Sequence, residues 1–215
     1  MPNRDLHNER REYDSATLSK ENMHASPFKQ LANWLDQAFA TNGIKDPTAM
    51  SLATVGENHQ PHCRIVLLKE FSEQGLLFYT HYESDKGKEL ANYPHAACCF
   101  FWDKLDQQIR IEGSVEKIST SLSNQYFQSR PKDSQLAAYI SKQSQSIDSR
   151  ETLENNMQTA TEKFAHKDVP RPTDWGGYRL IPNKFEFWQG RPNRLHDRFI
   201  YEKKENNWIM TRLAP

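Results

Sequence analysis

The sequence predicts a mainly β fold with added helices, in which short connections favour an antiparallel barrel. Runs of β-branched and aromatic residues alternate with turn residues in the first half of the chain and return near its end. Between these two regions the apolar residues follow helical spacing. With 215 residues the chain could form one large domain or two small ones. The absence of repeats and low-complexity tracts favours one β-rich domain with inserted helices.

The elements can be placed in order along the chain. A first helix begins at Ser26-Pro27, an N-cap followed by a first-turn proline, and ends at Asn42-Gly43. The first half then has predicted strands at 50–55, 64–69, 76–80, 97–102 and 108–118, a hairpin loop at 72–75 and a short helix at 84–92. The second half has predicted helices at 122–129, 134–142 and 150–164, followed by strands at 177–181, 184–189, 195–203 and 208–213.

The polar, charged residues 1–25 are predicted to form a mobile N-terminal arm, which leaves residues 26–215 as the folded domain. The N-terminus lacks an apolar signal core, and no stretch approaches the length of a membrane span. The cysteines Cys63, Cys98 and Cys99 form neither a disulfide framework nor a metal-ligand pattern. We therefore expect a cytoplasmic protein without a metal site or a membrane partner.

The charge balance argues against a nucleic-acid partner. Lys and Arg together number 28, and so do Asp and Glu. A nucleic-acid-binding protein usually carries a basic excess. A small phosphate-bearing molecule needs only a few well-placed cations, so a local basic pocket remains compatible with this composition.

Three potential cations stand close together near the C-terminus. If residues 194–198 are extended, period-two alternation places Arg194, His196 and Arg198 on one face. With Trp188 and a Gly-Arg-Pro turn nearby, this face suits an anionic aromatic ligand. The alternative is a solvated edge strand whose charges prevent aggregation, and the spacing alone does not decide between them.

Two further clusters have both a functional and a structural interpretation. Arg64 and Lys69 bracket an apolar run, which by itself favours a buried strand with charged ends reaching water. Tyr126 and Arg130 share a helix face, and Pro131 lets Ser134 fold back near them at the next helix start. These three groups could cradle a phosphate. Equally, Ser134 or Asp133 could simply cap the helix.

Taken in order, these segments resemble the pyridoxamine 5′-phosphate oxidase family. The matching blocks are RIVLLK (64–69), YT (79–80), SDKG (84–87), QIRIEG (108–113), YFQSRP (126–131), SKQS (141–144), WGG (175–177), EFWQG (186–190), RLHDR (194–198) and RLAP (212–215). They run in the same order from about Arg10 to the C-terminus, and their number makes the resemblance specific.

The resemblance implies an FMN-binding split β-barrel and a homodimer with two active sites across its interface. It implies oxidation of pyridoxine or pyridoxamine 5′-phosphate to pyridoxal 5′-phosphate, by hydride transfer to FMN and reoxidation by oxygen with release of hydrogen peroxide. One rival is a split-barrel flavin reductase or deazaflavin-dependent enzyme. Another is a carrier that binds flavin or pyridoxal phosphate without turnover.

The resemblance also assigns residues to roles. The implied flavin contacts are Arg64, Ile65, Val66, Leu67, Leu68, Lys69, Tyr79, Thr80, Lys86, Gln108, Gln143, Ser144, Trp188 and Arg198. The implied substrate contacts are Arg10, Arg11, Glu12 and Tyr13 in a closing N-terminal segment, then Lys69, Tyr126, Arg130, Ser134, Arg194, Leu195 and His196. Among these, Arg194 and His196 would lie at the pyridine ring as catalytic residues. Asp85 departs from the pattern, because many members carry a basic residue there that helps to neutralise the flavin phosphate.

Overall fold

The structure, a computed structural model, describes residues 5–14 and 16–215, so residues 1–4 and 15 of the predicted arm lie outside the described residues. The described helices are α1 (Pro27–Ala40), α2 (Asp85–Asn92), α3 (Thr120–Ser129), α4 (Lys132–Ile140) and α5 (Arg150–Lys163). The described strands are β1 (Ala49–Val55), β2 (Pro61–Leu67), β3 (Glu70–Ser72), β4 (Gly75–His81), β5 (His95–Trp102), β6 (Gln107–Lys117), β7 (Trp175–Gln189), β8 (Asp197–Lys204) and β9 (Asn207–Leu213). Short 3₁₀ turns occupy Lys20–Asn22 and Pro192–Arg194.

The chain divides into two compact units. The first comprises the described residues up to Thr48 together with Cys99–Ile111 and Asn183–Pro215. The second comprises Ala49–Cys98 and Glu112–Pro182. Strands β5, β6 and β7 each contribute residues to both units.

The second unit contains a sheet whose strand order is β2-β1-β5-β6-β7-β4-β3. β1 pairs antiparallel with β2, and β4 pairs antiparallel with both β3 and β7. The register sets His81 of β4 opposite Trp175 of β7. Helices α3, α4 and α5 bury Phe127, Leu136 and Ala160 in one apolar cluster with Trp175. This cluster fixes the helices that carry the candidate site.

The first unit pairs the end of β7 with β8, and β8 with β9, both antiparallel. Helix α1 packs its aromatic side chains on β7. The ring centroids of Trp34 and Phe187 are 5.3 Å apart, and those of Phe28 and Phe185 are 5.2 Å apart, both edge to face. Such aromatic pairs stabilise the fold by more than the burial of their apolar surface alone.

The mainly β class with added helices is confirmed, and most predicted elements occur with ends shifted by one to three residues. Ser84 accepts a hydrogen bond from the Gly87 backbone N–H and so caps α2. The predicted loop at 72–75 tightens to a turn between β3 and β4. The prediction of separate strands at 177–181 and 184–189 is wrong, because β7 runs through Pro182, and proline's fixed φ is compatible with an extended chain.

Two further predictions fail for identifiable reasons. The strand at 64–69 ends at Leu67, and it is not buried: Ile65 is 64% exposed and Leu67 is 39% exposed. β2 stands at the end of the strand order, so it lacks the neighbours that would bury it.

The extended segment at 194–198 is also wrong. Asn193 and Arg194 have positive φ values of 56° and 62°, and β8 begins only at Asp197. Period-two alternation therefore does not place Arg194, His196 and Arg198 on one face.

No helix in the described part of the chain is long and apolar enough to cross a membrane. The described residues also contain no group of three or more His, Cys, Asp or Glu side chains arranged to hold a metal ion.

Candidate active site

The second unit contains a cavity of about 770 Å³ between strands β2 and β4 and helices α2, α3 and α4. Its walls combine apolar side chains with four cations. The lining residues are Arg64, Ile65, Val66, Leu67, Lys69, Tyr79, Thr80, His81, Lys86, Tyr126, Arg130, Pro131, Ser134, Ala137, Ala138, Ser141, Gln143, Ser144 and Trp175. A cavity of this size, with a few convergent polar groups, is typical of a small-molecule site.

One wall is the junction between α3 and α4. α3 ends at Ser129, and Pro131 stands before the first turn of α4, so Tyr126, Arg130 and Ser134 all reach the same cavity. Gln135 fixes the junction, since its Nε2 donates to the Arg130 carbonyl oxygen at 2.8 Å. Ser134 lies inside α4, whose N-cap position is Pro131, so the capping alternative for Ser134 is not what the structure shows.

Arg130 is partly buried, and one of its guanidinium nitrogens lacks a hydrogen-bond partner among the described residues. Its Nη1 is buried and has no hydrogen-bond partner within the described residues. Burial lowers the pKa of the Arg130 guanidinium, although arginine remains protonated at neutral pH. The guanidinium carbon lies 4.7 Å from the centre of the Trp175 ring. A buried N–H group without a partner is rare in folded proteins and favours a ligand at this position.

Aromatic rings form a second wall. Tyr79 and Tyr126 stack with their centroids 3.8 Å apart, and Tyr79 stacks on Trp175 at 5.5 Å. Burial raises the pKa of Tyr79 to about 12 and also raises the pKa of Tyr126. Both phenols therefore stay protonated at neutral pH and can donate hydrogen bonds.

Lys86 provides a third wall with Thr80 and Gln143. Lys86 Nζ donates to Gln143 Oε1 at 3.0 Å, and Thr80 Oγ1 donates to the same oxygen at 2.9 Å. Burial lowers the pKa of Lys86, and the nearby Arg64 lowers it further. The neighbouring Asp85 is not among the cavity's lining residues, and its backbone N–H donates to Ser144 Oγ at 3.3 Å. The acidic side chain therefore does not line this cavity.

Arg64 is held by a buried carboxylate. Its Nη2 donates to Glu89 Oε2 at 3.0 Å, and its Nη1 donates to Thr54 Oγ1. Glu89 also accepts from Thr54 and contacts His62 Nδ1. Burial acts to raise the pKa of Glu89, but hydrogen bonds from Thr54, His62 and Arg64 outweigh it and lower the pKa below its usual value.

The first unit brings together a separate aromatic cluster. The Tyr13 ring meets Trp188 at 5.7 Å and His196 at 5.5 Å, both edge to face. Arg194 and Arg11 lie over the Tyr13 ring at 5.5 and 5.0 Å. The Arg191 backbone N–H donates to His196 Nδ1 at 3.1 Å, so the neutral imidazole carries its proton on Nε2. Burial lowers the pKa of His196, and Arg194 lowers it further.

Comparison with known proteins identifies the family. The model for pyridoxamine 5′-phosphate oxidase matches residues 35–164, which is more than half of the chain. A second model, for the pyridoxine 5′-phosphate oxidase C-terminal dimerisation region, matches residues 175–215. The chain belongs to the pyridoxamine 5′-phosphate oxidase family.

Relatives across this family are similar over nearly their full length. The chain is 51% identical to pyridoxine/pyridoxamine 5′-phosphate oxidase 1 of Hydrogenovibrio crunogenus, with 100% of both chains covered. It is 49% identical to the pyridoxine/pyridoxamine 5′-phosphate oxidase of Gloeothece citriformis, with 96% of each covered.

Solved structures support the same fold. The structure of PhzG from Burkholderia lata 383 in complex with tetrahydrophenazine-1-carboxylic acid matches with a TM-score of 0.88 and 28% identity. The match covers 95% of this chain and 100% of PhzG. A pyridoxamine 5′-phosphate oxidase-related, FMN binding protein from Nostoc punctiforme matches with a TM-score of 0.72 at 17% identity. The split-barrel fold class predicted from the sequence is thus confirmed.

The structure brings together most family-assigned residues of the second unit. Of the predicted contacts, the cavity is lined by Arg64, Ile65, Val66, Leu67, Lys69, Tyr79, Thr80, Lys86, Gln143, Ser144, Tyr126, Arg130 and Ser134. Leu68 is buried and does not line it. The remaining predicted contacts belong to the first unit: Arg10, Arg11, Glu12, Tyr13, Gln108, Trp188, Arg194, Leu195, His196 and Arg198.

Arg198 has a structural partner. It pairs with Glu186 at 2.8 Å on the neighbouring strand β7. Glu186 also pairs with Arg110 at 3.1 Å, which makes its buried carboxylate a bridge between two arginines.

Sequence reasoning missed three informative lining residues, namely His81, Ser141 and Trp175. Ser141 and Trp175 stand in blocks that resemble the family, so those blocks held a usable signal. No sequence signal marked His81. An isolated histidine can be assigned to the cavity only after the pairing of β4 with β7 is known.

Proposed function

We propose that this chain is an FMN-dependent oxidase that converts pyridoxine or pyridoxamine 5′-phosphate into pyridoxal 5′-phosphate. Family membership supports the oxidase class and the B6 phosphate substrates. The observation that carries the proposal is the buried, unpartnered Nη1 of Arg130 in a cavity that also presents Tyr126 and Ser134. An anionic phosphate would satisfy that group with a charge-assisted hydrogen bond.

The residues of the cavity fit FMN. Arg64 and Lys86 offer two cations for a flavin phosphate, and Thr80, Gln143 and Ser144 offer neutral polar groups. Ile65 and Val66 offer an apolar surface of the kind that flat aromatic cofactors contact. When bound, FMN would supply the redox chemistry, accepting a hydride from the substrate and passing the electrons to oxygen, which gives hydrogen peroxide.

The substrate phosphate is proposed to bind Lys69, Tyr126, Arg130 and Ser134. Lys69 and Arg130 supply charge, while the Tyr126 and Ser134 hydroxyls donate hydrogen bonds. Because burial raises the pKa of Tyr126, its hydroxyl keeps its proton and adds no competing negative charge.

Arg194 and His196 are proposed to orient the pyridine ring. His196 is held by the Arg191 backbone N–H, which leaves Nε2 as a donor in the neutral form. Arg194 lies over Tyr13, in the segment proposed to close over the substrate. The match to a dimerisation region over residues 175–215 supports a homodimer, and we propose that its active sites use both subunits.

A related oxidase acting on another aromatic compound is the second candidate. Its support is the similarity to PhzG, whose structure contains tetrahydrophenazine-1-carboxylic acid. The higher identity to pyridoxine/pyridoxamine 5′-phosphate oxidases, at 51% and 49%, favours a phosphorylated substrate, as does the unsatisfied guanidinium of Arg130. A cytoplasmic location also remains our proposal, supported by an odd number of cysteines, two of them adjacent.

The test is the visible spectrum of the FMN-reconstituted protein before and after anaerobic addition of pyridoxine 5′-phosphate. We expect the flavin to bleach and its colour to return in air. A flavin that stays oxidised with this substrate and with pyridoxamine 5′-phosphate would indicate a reductase or a carrier instead. An Arg194→Ala variant should keep its flavin and lose most turnover, and full activity in that variant would remove Arg194 from the catalytic assignment.

A further inference from the structure

Arg130 lies in a place where ordinary charge compensation is missing. None of the ion pairs between described residues includes Arg130, and its Nη1 is buried without a hydrogen-bond partner. The groups that meet its guanidinium are aromatic: Trp175 at 4.7 Å and Phe127 at 5.7 Å from the ring centres. A desolvated guanidinium over the face of a tryptophan gains from the ring's negative quadrupole.

Trp175 is itself rigidly held, as a supporting residue must be. Its side chain is buried, with 4% of the residue exposed. Its ring stacks on Tyr79 at 5.5 Å with an interplanar angle of 15°, and it meets the edge of Phe127 at 5.2 Å. Its carbonyl oxygen accepts a hydrogen bond from Arg171 Nη1. The indole therefore has little freedom to follow a moving partner.

The stack connects this support to the rest of the proposed phosphate site. Tyr126 lies parallel to Trp175, with an interplanar angle of 5°, and stacks on Tyr79 at 3.8 Å. The backbone of Arg130 is fixed separately by Gln135 Nε2 at 2.8 Å. Gln135 thus holds the backbone of Arg130 and Trp175 contacts its guanidinium, so both ends of the residue are positioned before a ligand binds.

We propose that Trp175 is a positioning residue for phosphate recognition. Its indole face holds the Arg130 guanidinium so that the unpartnered Nη1 stays available to an anion in the cavity. The inference rests on the proposed function, because it takes the ligand to be a B6 phosphate ester. Preference for the phosphorylated ligand then depends on Trp175, which acts through Arg130.

The test measures binding rather than turnover, by equilibrium dialysis of pyridoxal 5′-phosphate and of unphosphorylated pyridoxal against FMN-loaded protein. Trp175→Leu should raise the dissociation constant of pyridoxal 5′-phosphate by about tenfold, the scale of one desolvated cation–π contact. It should leave pyridoxal binding within about twofold of wild type, because the uncharged ligand lacks the phosphate. Trp175→Phe keeps an aromatic face and should recover most of the loss.

A double-mutant cycle with Arg130→Met then separates positioning from structure. If Trp175 acts through Arg130, Trp175→Leu adds no further loss in the Arg130→Met background. Additive losses, or equal weakening of both ligands, would overturn the inference while leaving the proposed function intact. If Trp175→Leu does not fold, Trp175→Met, which also lacks an aromatic face, takes its place in the cycle. A wild-type protein that binds no pyridoxal 5′-phosphate would instead defeat the proposed function, and the inference with it.

Discussion

At the scale of single residues, Glu89 shows how a buried carboxylate can serve a site that it does not line. Its two oxygens contact Thr54, His62 and Arg64, and of these only Arg64 lines the candidate cavity. The carboxylate therefore fixes the direction of Arg64 and balances part of the cationic charge there. Hydrogen bonds to a charged acceptor are stronger than neutral ones.

Replacing Glu89 by Gln should lower the free energy of unfolding by about 1–3 kcal/mol at neutral pH, since the charged hydrogen bonds to Arg64 and Thr54 are lost. The folded-state pKa of Glu89 lies below its usual 4.5, so this contribution is present above pH 4.5. It disappears as the pH falls through the lower folded-state pKa. Urea unfolding at several pH values measures both effects.

His62→Gln is the matched control, because the His62 side chain is 46% exposed and its contact with Glu89 should contribute less than about 1 kcal/mol. Equal stability of wild type and Glu89→Gln at neutral pH would contradict the prediction.

His196 gives a second prediction at this scale. Burial and then Arg194 lower its pKa, so the imidazole is neutral at neutral pH and charges only in more acid solution. Arg194→Gln removes the neighbouring cation and should move the pKa of His196 upward, whereas Arg194→Lys should keep it low. The measurement is an NMR titration of the His196 ring proton, assigned with a His196→Gln variant. An unchanged pKa in Arg194→Gln would show that Arg194 does not act on His196.

At the scale of elements, α2 depends on a close approach to the preceding chain. A methyl group on Gly87 would lie against the backbone carbonyl oxygen of Tyr82 and 2.7 Å from that of His81. Neither oxygen belongs to a flexible side chain that could move aside. The same helix carries Lys86, which lines the cavity. The position of α2 therefore also determines the position of this proposed cofactor contact.

Gly87→Ala should therefore destabilise the protein by about 1–3 kcal/mol, as overpacking does. Helix propensity alone predicts the opposite sign, since alanine is the better helix former. The variant should also bind FMN more weakly because Lys86 moves with α2. Urea unfolding and a flavin titration test both expectations.

Gly56→Ala is the control for this substitution. A methyl group there would first meet the end of the His62 side chain at 3.0 Å, and that side chain can move. Gly56→Ala should cost clearly less stability than Gly87→Ala, because the backbone oxygen that its methyl group would approach, that of Gln60, is 3.4 Å away. A Gly87→Ala protein as stable as this control would contradict the steric argument.

At the scale of the whole molecule, the exposed apolar side chains of β2 need a partner. Ile65 is 64% exposed on a strand at the end of the sheet order, where unpaired strands invite association. The match to a dimerisation region supports a second copy of the chain but covers residues 175–215, so the place of β2 in the interface is our proposal.

Light scattering during size-exclusion chromatography should accordingly give about twice the chain mass of 25.1 kDa. Measured on flavin-free protein, because Ile65 is also a proposed flavin contact, Ile65→Lys should raise the dimer dissociation constant by at least about tenfold, since a buried cation without a partner is costly in an interface. Phe39→Lys on α1, where Phe39 is 62% exposed, is the matched control and should remain dimeric. Equal dimer strength in both variants would remove β2 from the proposed interface.

The sequence by itself determined the features that depend on local chemistry. Ser84 predicts the start of α2, and Pro131 predicts the break that lets Tyr126, Arg130 and Ser134 converge. The fold class followed from the periodicity of apolar residues, and the family from the ordered blocks. These signals are readable because each lies within a few residues of chain.

Only the tertiary structure decided which distant residues meet. It placed Trp175 opposite His81 and under Arg130, paired Arg64 with Glu89, and left the apolar Ile65 exposed. It also placed Asn193 and Arg194 in a turn with positive φ values, so the segment 194–198 is not extended throughout. Strand order and register determine these features, and a local sequence pattern does not encode them. An apolar run has the same pattern whether its strand lies in a core or at the edge of a sheet.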